Sequence, residues 1–409
     1  MALCKLSPPV ALWAIFCLLS SAWGAPDRIA VETKHRILDR IGDILETKAF
    51  SKGVDFDAWP RILESHREAI YDAATIREFE KSIDRALGEF GISHLYITPP
   101  PVLENDVERP IFKLGISGPN VVNGIRVTRV TRGSPAEEMG LRKKDTIIAI
   151  DDVAPARHEN LFGKNGESLT IEWLRDGKLH HGVIHCRPYQ SFDPPWIEWP
   201  QDDVAVIHIQ SFAKGEYSFA KVNRLFKEAR NANAILIDLR DNYGGLLRNA
   251  LHLAGKVMPG KATFALHAKK AHYLKSGYDS KTNDKSALDS LKRYSKTLKP
   301  AFALRRYKGK VAILVDSYSA SAADIFPASI AETDRGIVVG SKTRGALIGA
   351  RDIRLPQGFR LAYPFVEVLT PHGNRLEGRG VVPDIELDWQ ETIDDETIYR
   401  RAIQALFPN

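Results

Sequence analysis

Apolar side chains recur every three or four positions between residues 27 and 90. Ile37, Ile41, Ile44 and Leu45 form one set; Ala74, Ile76, Phe79, Ile83, Ala86 and Leu87 form another. This is close to the 3.6-residue helical repeat, so the spacing predicts amphipathic helices that bury one face. Asp55 and Asp57 stand just ahead of a further helical stretch, Trp59 to Ile70, where carboxylates can cap free backbone N–H groups. Gly88 and Gly91 end the last helix. A short strand is predicted over Ser93 to Thr98, and Pro99, Pro100 and Pro101 stop it.

The pattern then changes. Residues 111 to 188 read as short β runs: Gly124 to Val130, Asp145 to Ile150, Ser168 to Trp173 and His181 to Cys186. Between the first two, Gly133-Ser134-Pro135-Ala136 opens a helical turn that Gly140 closes. From residue 203 apolar strands alternate with helices. Strand Val204 to Ile209 precedes helix Tyr217 to Arg230, and strand Ile235 to Leu239 precedes a helix after Gly244-Gly245. Strand Val311 to Val315 precedes helix Ala322 to Glu332, and strand Ile337 to Gly340 follows. Such alternation predicts a layered α/β core. Residues 266 to 310 interrupt it with a Lys-rich stretch carrying Tyr273, Tyr278 and Tyr294, read as an insertion or mobile flap, or equally as a solvated helical excursion.

At 409 residues the chain has room for two or three domains, and 44% hydrophobic with 26% charged residues is ordinary for a soluble globular protein. A net charge of +6 without a dense basic run gives no pointer to nucleic acid. The N-terminus adds more. Lys5 precedes an apolar run from Val10 to Leu19, and Ala22 and Gly24 suit the small-residue positions of a cut before Ala25. These are the parts of a secretory signal peptide, and the run is too short to span a bilayer as a helix. An uncleaved anchor is the other reading. The expected mature protein is soluble and periplasmic or secreted. The expected divisions are a signal peptide at 1–24, a helical region at 25–104, a β-rich module at 105–190 and an α/β core at 191–409.

Cys4 and Cys17 would leave with the signal peptide, so Cys186 stands alone in a strand-like run and reads as a buried thiol. His180, His181 and His185 cluster, but no HExxH or paired CxxC spacing supports a metal site.

Four local features could carry chemistry. The run Asp238 to Gly245 ends a buried strand with two glycines, which let backbone N–H groups approach an anion; a plain turn is the alternative. In Asp316 to Asp324 a strand enters a helix through small residues, which suits either a serine nucleophile or an N-cap. Ser93-His94 offers an imidazole able to take a proton near neutral pH, or a structural histidine. In Glu377 to Asp384, Glu377 could orient such a base, or the run is a surface turn.

In this order the four runs resemble the C-terminal-processing peptidases and their tricorn-core relatives, over nearly the whole mature chain. The segment Phe90 to Tyr96 is similar to the end of the family's helical region. Leu114-Gly115-Ile116, with Gly133 to Ala136 and Gly140-Leu141 to Asp145, resembles a bacterial-type PDZ domain, which takes up peptides by adding them to a sheet edge. The resemblance implies a Clp-protease/crotonase-like layered core with an N-terminal helical region and an inserted β-rich PDZ domain. It implies Ser321 as nucleophile, with Ser319 as the neighbour most easily confused with it. The backbone amides of Gly244 and Ala322 would form the oxyanion hole, and Leu114, Gly115 and Ile116 would bind peptide.

One departure matters. The Ser–Lys branch of the family carries its lysine 25 residues after the nucleophile, where this chain has Ala346 in Thr343-Arg344-Gly345-Ala346-Leu347. Glu332 stands where that branch often has Asp. The tricorn-like branch uses a Ser-His pair and a late Glu instead, matched here by Ser93, His94 and Glu377. His94 is then the expected base, held by Glu377 through Ser93. The implied activity is cleavage of proteins or peptides without metal or organic cofactor. Because Ala322 follows the nucleophile, apolar or small residues are expected at the cleaved position. Two alternatives stay open: a Ser–Lys mechanism with Lys342 substituting, and an inactive peptide- or ligand-binding protein on the same scaffold.

Overall fold

A computed structural model of the chain describes residues 28–100, 111–154, 161–164, 166–190, 192–278 and 284–408. The expected signal peptide and the expected domain boundary near residue 105 lie outside these. The core is a six-stranded sheet in the order Trp196–Gln201, Val204–His208, Ala234–Asp238, Lys310–Val315, Ile337–Gly340 and Ile385–Glu386. The first pair is antiparallel and the other four pairings are parallel. Parallel strands covered on both faces read as unbroken apolar runs, which is why VAVIH, AILID and VAILV show no polar alternation. Alternate side chains still go to opposite faces. Ala205 and Ile207 join Ile235 and Ile237 beneath helices Leu247–Val257 and Ala322–Ala331. Val204 and Val206 face helix Asp395–Leu406 on the other side.

A second sheet was not foreseen. Its axis is the ten-residue strand Arg360–Leu369, paired with Tyr96–Thr98, Ile348–Arg354 and Ala265–Ala268; Lys296–Leu298 adds to the last. The N-terminal helices Val31–Thr47 and Ile76–Gly88 pack on this sheet, with Ile37, Ile41, Phe79 and Ile83 sharing one buried cluster with Phe359, Leu361 and Tyr363. The helical region is therefore part of the layered core, and its exit strand delivers Ser93 and His94 to the core's edge. Residues 266–310 are likewise built in: two short strands of this sheet flank helices Lys270–Ser276 and Lys285–Tyr294. Tyr273 and Leu291 are buried against Leu266 and Leu369, so this stretch is a packed excursion.

Two predicted elements are divided. Trp59 to Ile70 is two helices, Trp59–Ser65 and Arg67–Asp72, broken where His66 leaves helical backbone angles. Gly124 to Val130 is two strands, Gly124–Arg126 and Arg129–Val130, turned apart at the buried Val127 and Thr128.

The β-rich module has a five-stranded antiparallel sheet and the short helix Pro135–Met139, closed over Leu114, Ile125, Ile147, Ile171, Trp173 and Ile184. Cys186 lies in this core at 2% exposure, and burial raises its thiol pKa. Lys143 and Lys144 tie the module to Asp395 and Asp394 of the core, at 2.7 and 2.8 Å. No helix among the described residues is long and apolar enough to cross a membrane.

Candidate active site

Strand Lys310–Val315 aims its C-terminal end at a small-residue turn, and helix Ala322–Ala331 starts directly after Ser321. Ser319 and Ser321 of this turn differ completely. Ser319 is fully buried; its hydroxyl donates to the Leu239 carbonyl at 2.9 Å and accepts the Asp316 amide at 3.1 Å. It is a structural pin. Ser321 is only half-buried and takes no part in those pinning bonds. Ser321 has φ 57 and ψ −114, a conformation that costs a non-glycine residue about 1–3 kcal/mol and persists only where surroundings impose it.

Asp324 is what imposes it. This fully buried carboxylate accepts the Ser321 amide at 2.7 Å, the Thr343 hydroxyl at 2.6 Å, and the amides of Gly345 and Ala346 at 3.0 and 3.1 Å. Ala346, where the Ser–Lys branch has its lysine, thus contributes a backbone donor. The framework continues toward Glu377: Thr343 Oγ1 accepts the Val381 amide at 2.7 Å, and the Gly345 carbonyl accepts that of Gly378 at 2.7 Å. Sequence reading quoted Asp324 and Thr343 only as parts of motifs and gave neither a role, since a lone threonine after a strand carries no signal.

Ser93, His94 and Glu377 meet. Glu377, 4% exposed, accepts the Ser93 amide at 2.6 Å and the Ser93 hydroxyl at 2.9 Å. The Ser93 hydroxyl lies 2.7 Å from His94 Nδ1. Ser93 has one hydroxyl proton, and it points at the carboxylate, which only accepts. His94 Nδ1 must therefore carry the ring proton and donate, leaving the Nε2 lone pair free. Burial lowers the His94 pKa below 6.5, and the charge of Glu377 opposes that shift. His94, with φ 58, also lies in the left-handed region. No hydrogen bond joins His94 Nε2 to Ser321 Oγ among the described residues.

The loop Asp238 to Gly245 lies against the Ser321 turn. A Cβ on Gly244 would stand 2.6 Å from Ser321 Cβ and from the Ala320 carbonyl oxygen, at φ +92. Only glycine fits there. The expected oxyanion pair is half prepared. Ala322 is the first residue of its helix, where amides lack an intrahelical partner. The Gly244 amide, however, donates to Asn242 Oδ1 at 2.8 Å, because the fully buried Asn242 folds over its own turn while its Nδ2 donates to the Ile209 carbonyl.

Leu114, Gly115 and Ile116 lie in the module, apart from these groups. Leu114 is committed inside, its amide to Leu161 and its carbonyl to Ala136. Gly115 packs on Ser134, where a Cβ would come within 2.1 Å. The carbonyls of Gly115 and Ser117 accept Thr131 and Thr128 amides, so by strand alternation the backbone of Ile116 faces the opposite edge. Of the remaining candidates, Lys342 is exposed, and Glu332 accepts the His372 amide and the Asn374 side chain at 2.7 and 2.8 Å.

Fold and site together define a layered α/β chain with a strained serine at a helix start and a Glu–Ser–His chain at the core's edge. Residues 203–387 match the model of Peptidase family S41. A probable CtpA-like serine protease of Staphylococcus aureus (strain bovine RF122 / ET3-1) is 28% identical over 302 residues, covering 68% of this chain and 54% of the relative. The chain thus spans about half the length of the curated relatives it matches. The photosystem II D1 C-terminal processing protease shares the fold at TM-score 0.58 and 16% identity, over 90% of this chain and 97% of that one. The tricorn protease does so at TM-score 0.52 and 20% identity, over 92% of this chain and 36% of that one.

Proposed function

We propose that this chain is a serine endopeptidase working in the periplasm or outside the cell after loss of a signal peptide. In this reading Ser321 Oγ attacks the scissile carbonyl carbon while His94 Nε2 takes its proton. The oxygen turned negative meets the Ala322 amide, joined by that of Gly244 once the latter leaves Asn242. His94 then protonates the departing amine as the C–N bond breaks, and water resolves the acyl-enzyme by the same route. Ser93 and Glu377 orient the imidazole and hold its proton on Nδ1. The module acts as a PDZ domain whose Ile116 edge receives an extended substrate segment or C-terminus.

The single observation that carries the reading is the Glu377–Ser93–His94 chain, which fixes the ring tautomer a base requires. Fluorophosphonate labelling tests it: the wild type should label, and Ser321→Ala and His94→Ala should not. Labelling that survives His94→Ala would keep the nucleophile and refute the base. A second reading, a peptide-binding protein without turnover, is favoured by the Gly244 amide being held by Asn242. It predicts peptide affinity with no labelling.

A further inference from the structure

The proposed chemistry leaves two buried carboxylates unused beside the nucleophile turn. Asp241 lies three residues before Gly244 and is 6% exposed; Asp316 lies five before Ser321 and is 7% exposed. The Asp241 amide donates to Asp316 Oδ2 at 3.0 Å, which brings the two side chains together. Asp316 Oδ1 is well supplied, accepting the amides of Tyr318 and Ser319, both at 3.0 Å, and the Ser319 hydroxyl at 3.2 Å. Asp241 Oδ1 is buried and has no hydrogen-bond partner among the described residues. Among the described residues neither carboxylate has a cationic partner within salt-bridge distance. Asp241 also has φ 58, so its backbone is held in an uncommon conformation to present this group.

Buried charge without a partner is costly, and such groups mark places where something binds. The surroundings point to the kind of ligand. Tyr243 and Tyr318, with ring centroids 5.8 Å apart, flank the pair, and Tyr243 is 48% exposed. Aromatic faces beside carboxylates favour a cation on a flexible stem. Burial, and after it the charge of Asp241, pushes Asp316 up to about 7, so Asp316 can give up its proton when a positive group arrives.

We propose that Asp241 and Asp316, walled by Tyr243 and Tyr318, form a subsite for a Lys or Arg side chain of the substrate. It rests on the peptidase reading for the identity of the ligand, and it concerns a position flanking the cleaved residue. The competing occupant is internal: Arg129 of the module has two buried guanidinium nitrogens without a hydrogen-bond partner among the described residues, and it acts electrostatically on the same Tyr243.

The test uses the full mature chain as Ser321→Ala, so that binding is read without turnover. Fluorescent peptides carry lysine or the neutral norleucine at each position in turn. At one position lysine should bind at least about tenfold tighter, and adding Asp241→Asn should abolish that difference while leaving norleucine peptides within about twofold. Equal affinity for lysine and norleucine at every position, measured without touching Asp241, overturns the subsite. So does an Asp241→Asn variant that weakens all peptides alike, the result expected if Arg129 is the true partner. Fluorophosphonate labelling of the wild type separates the two levels: labelling without lysine preference refutes the subsite alone, and absent labelling refutes the peptidase reading alone.

Discussion

Glu377 grips Ser93 twice, taking the amide on one carboxylate oxygen at 2.6 Å and the hydroxyl on the other at 2.9 Å. The two residues stand 284 positions apart, and their contact fixes which nitrogen of His94 bears the proton. Glu377→Gln breaks that logic, because a side-chain amide can donate to the Ser93 oxygen and turn the hydroxyl proton toward His94 Nδ1. The ring would then carry its proton on Nε2, where it cannot accept one from Ser321. We expect kcat to fall by about 10²–10⁴-fold with little change in KM.

The pH profile follows from the same pair. If His94 is the base, as proposed, it works when neutral, and activity should be lost as pH falls through its pKa, which burial sets below 6.5 against the opposing charge of Glu377. Removing that charge lowers the pKa further. The acid limb of kcat/KM in residual Glu377→Gln activity should move to lower pH. A limb that moves upward would show that Glu377 does not act on His94.

Asp324 gathers four donors from two loops in a site without solvent. Asp324→Asn keeps the shape but replaces one acceptor oxygen with a donor, leaving buried N–H or O–H groups unmatched. Each such group costs about 1–3 kcal/mol, so the urea midpoint should report a loss of at least about 2 kcal/mol. Fluorophosphonate labelling should fall with it, since the Ser321 amide loses its anchor. Thr343→Val removes a single donor and should cost about 1 kcal/mol with most labelling retained.

Much of this architecture was legible in the sequence, for identifiable reasons. Parallel strands such as Ala234–Asp238 announce themselves because both faces are buried and the apolar run is unbroken. Ser93, His94 and Glu377 could be named from motifs, although nothing local shows that a helical exit and a late turn converge. The second sheet was illegible because three of its members are only three or four residues long, and its axis, RLAYPFVEVL, carries Pro364, which argues against a strand. The Gly244 amide shows a different limit. Motif position shows that its backbone lies near Ser321, but only the side-chain path of Asn242 shows where its hydrogen points.

Gly244→Ala tests how tightly the two loops abut. A methyl group would enter within 2.6 Å of Ser321 Cβ and of the Ala320 carbonyl, at a φ of +92 that alanine disfavours. Neither neighbour can yield, since the Ala320 amide is bonded to the Asn242 carbonyl and Ser321 is held by Asp324. The expected result is loss of labelling with a stability cost of about 1–3 kcal/mol. Gly378→Ala, also at positive φ but with open space around its Cβ, should retain the fold at a smaller cost.

His208 gives the core a pH dependence of its own. It lies between Asp238 at 3.2 Å and Glu198 at 3.3 Å, stacked under Trp196 with ring centroids 4.1 Å apart. Burial alone would lower its pKa, but hydrogen bonds and attraction from the two carboxylates outweigh that and raise it above 6.5. A raised histidine stabilises the fold fully at pH below its unfolded value and loses that contribution as pH climbs through the folded one. Glu198, drawn down to about 2, behaves oppositely: its contribution is present above its ordinary 4.5 and fades as pH falls toward 2. Urea midpoints of the wild type should therefore decline on going from pH 6 to pH 9. In His208→Gln, which cannot take up the charge, that decline should flatten. An unchanged slope would mean that the positive charge on His208 is not what holds the Glu198 and Asp238 strands together.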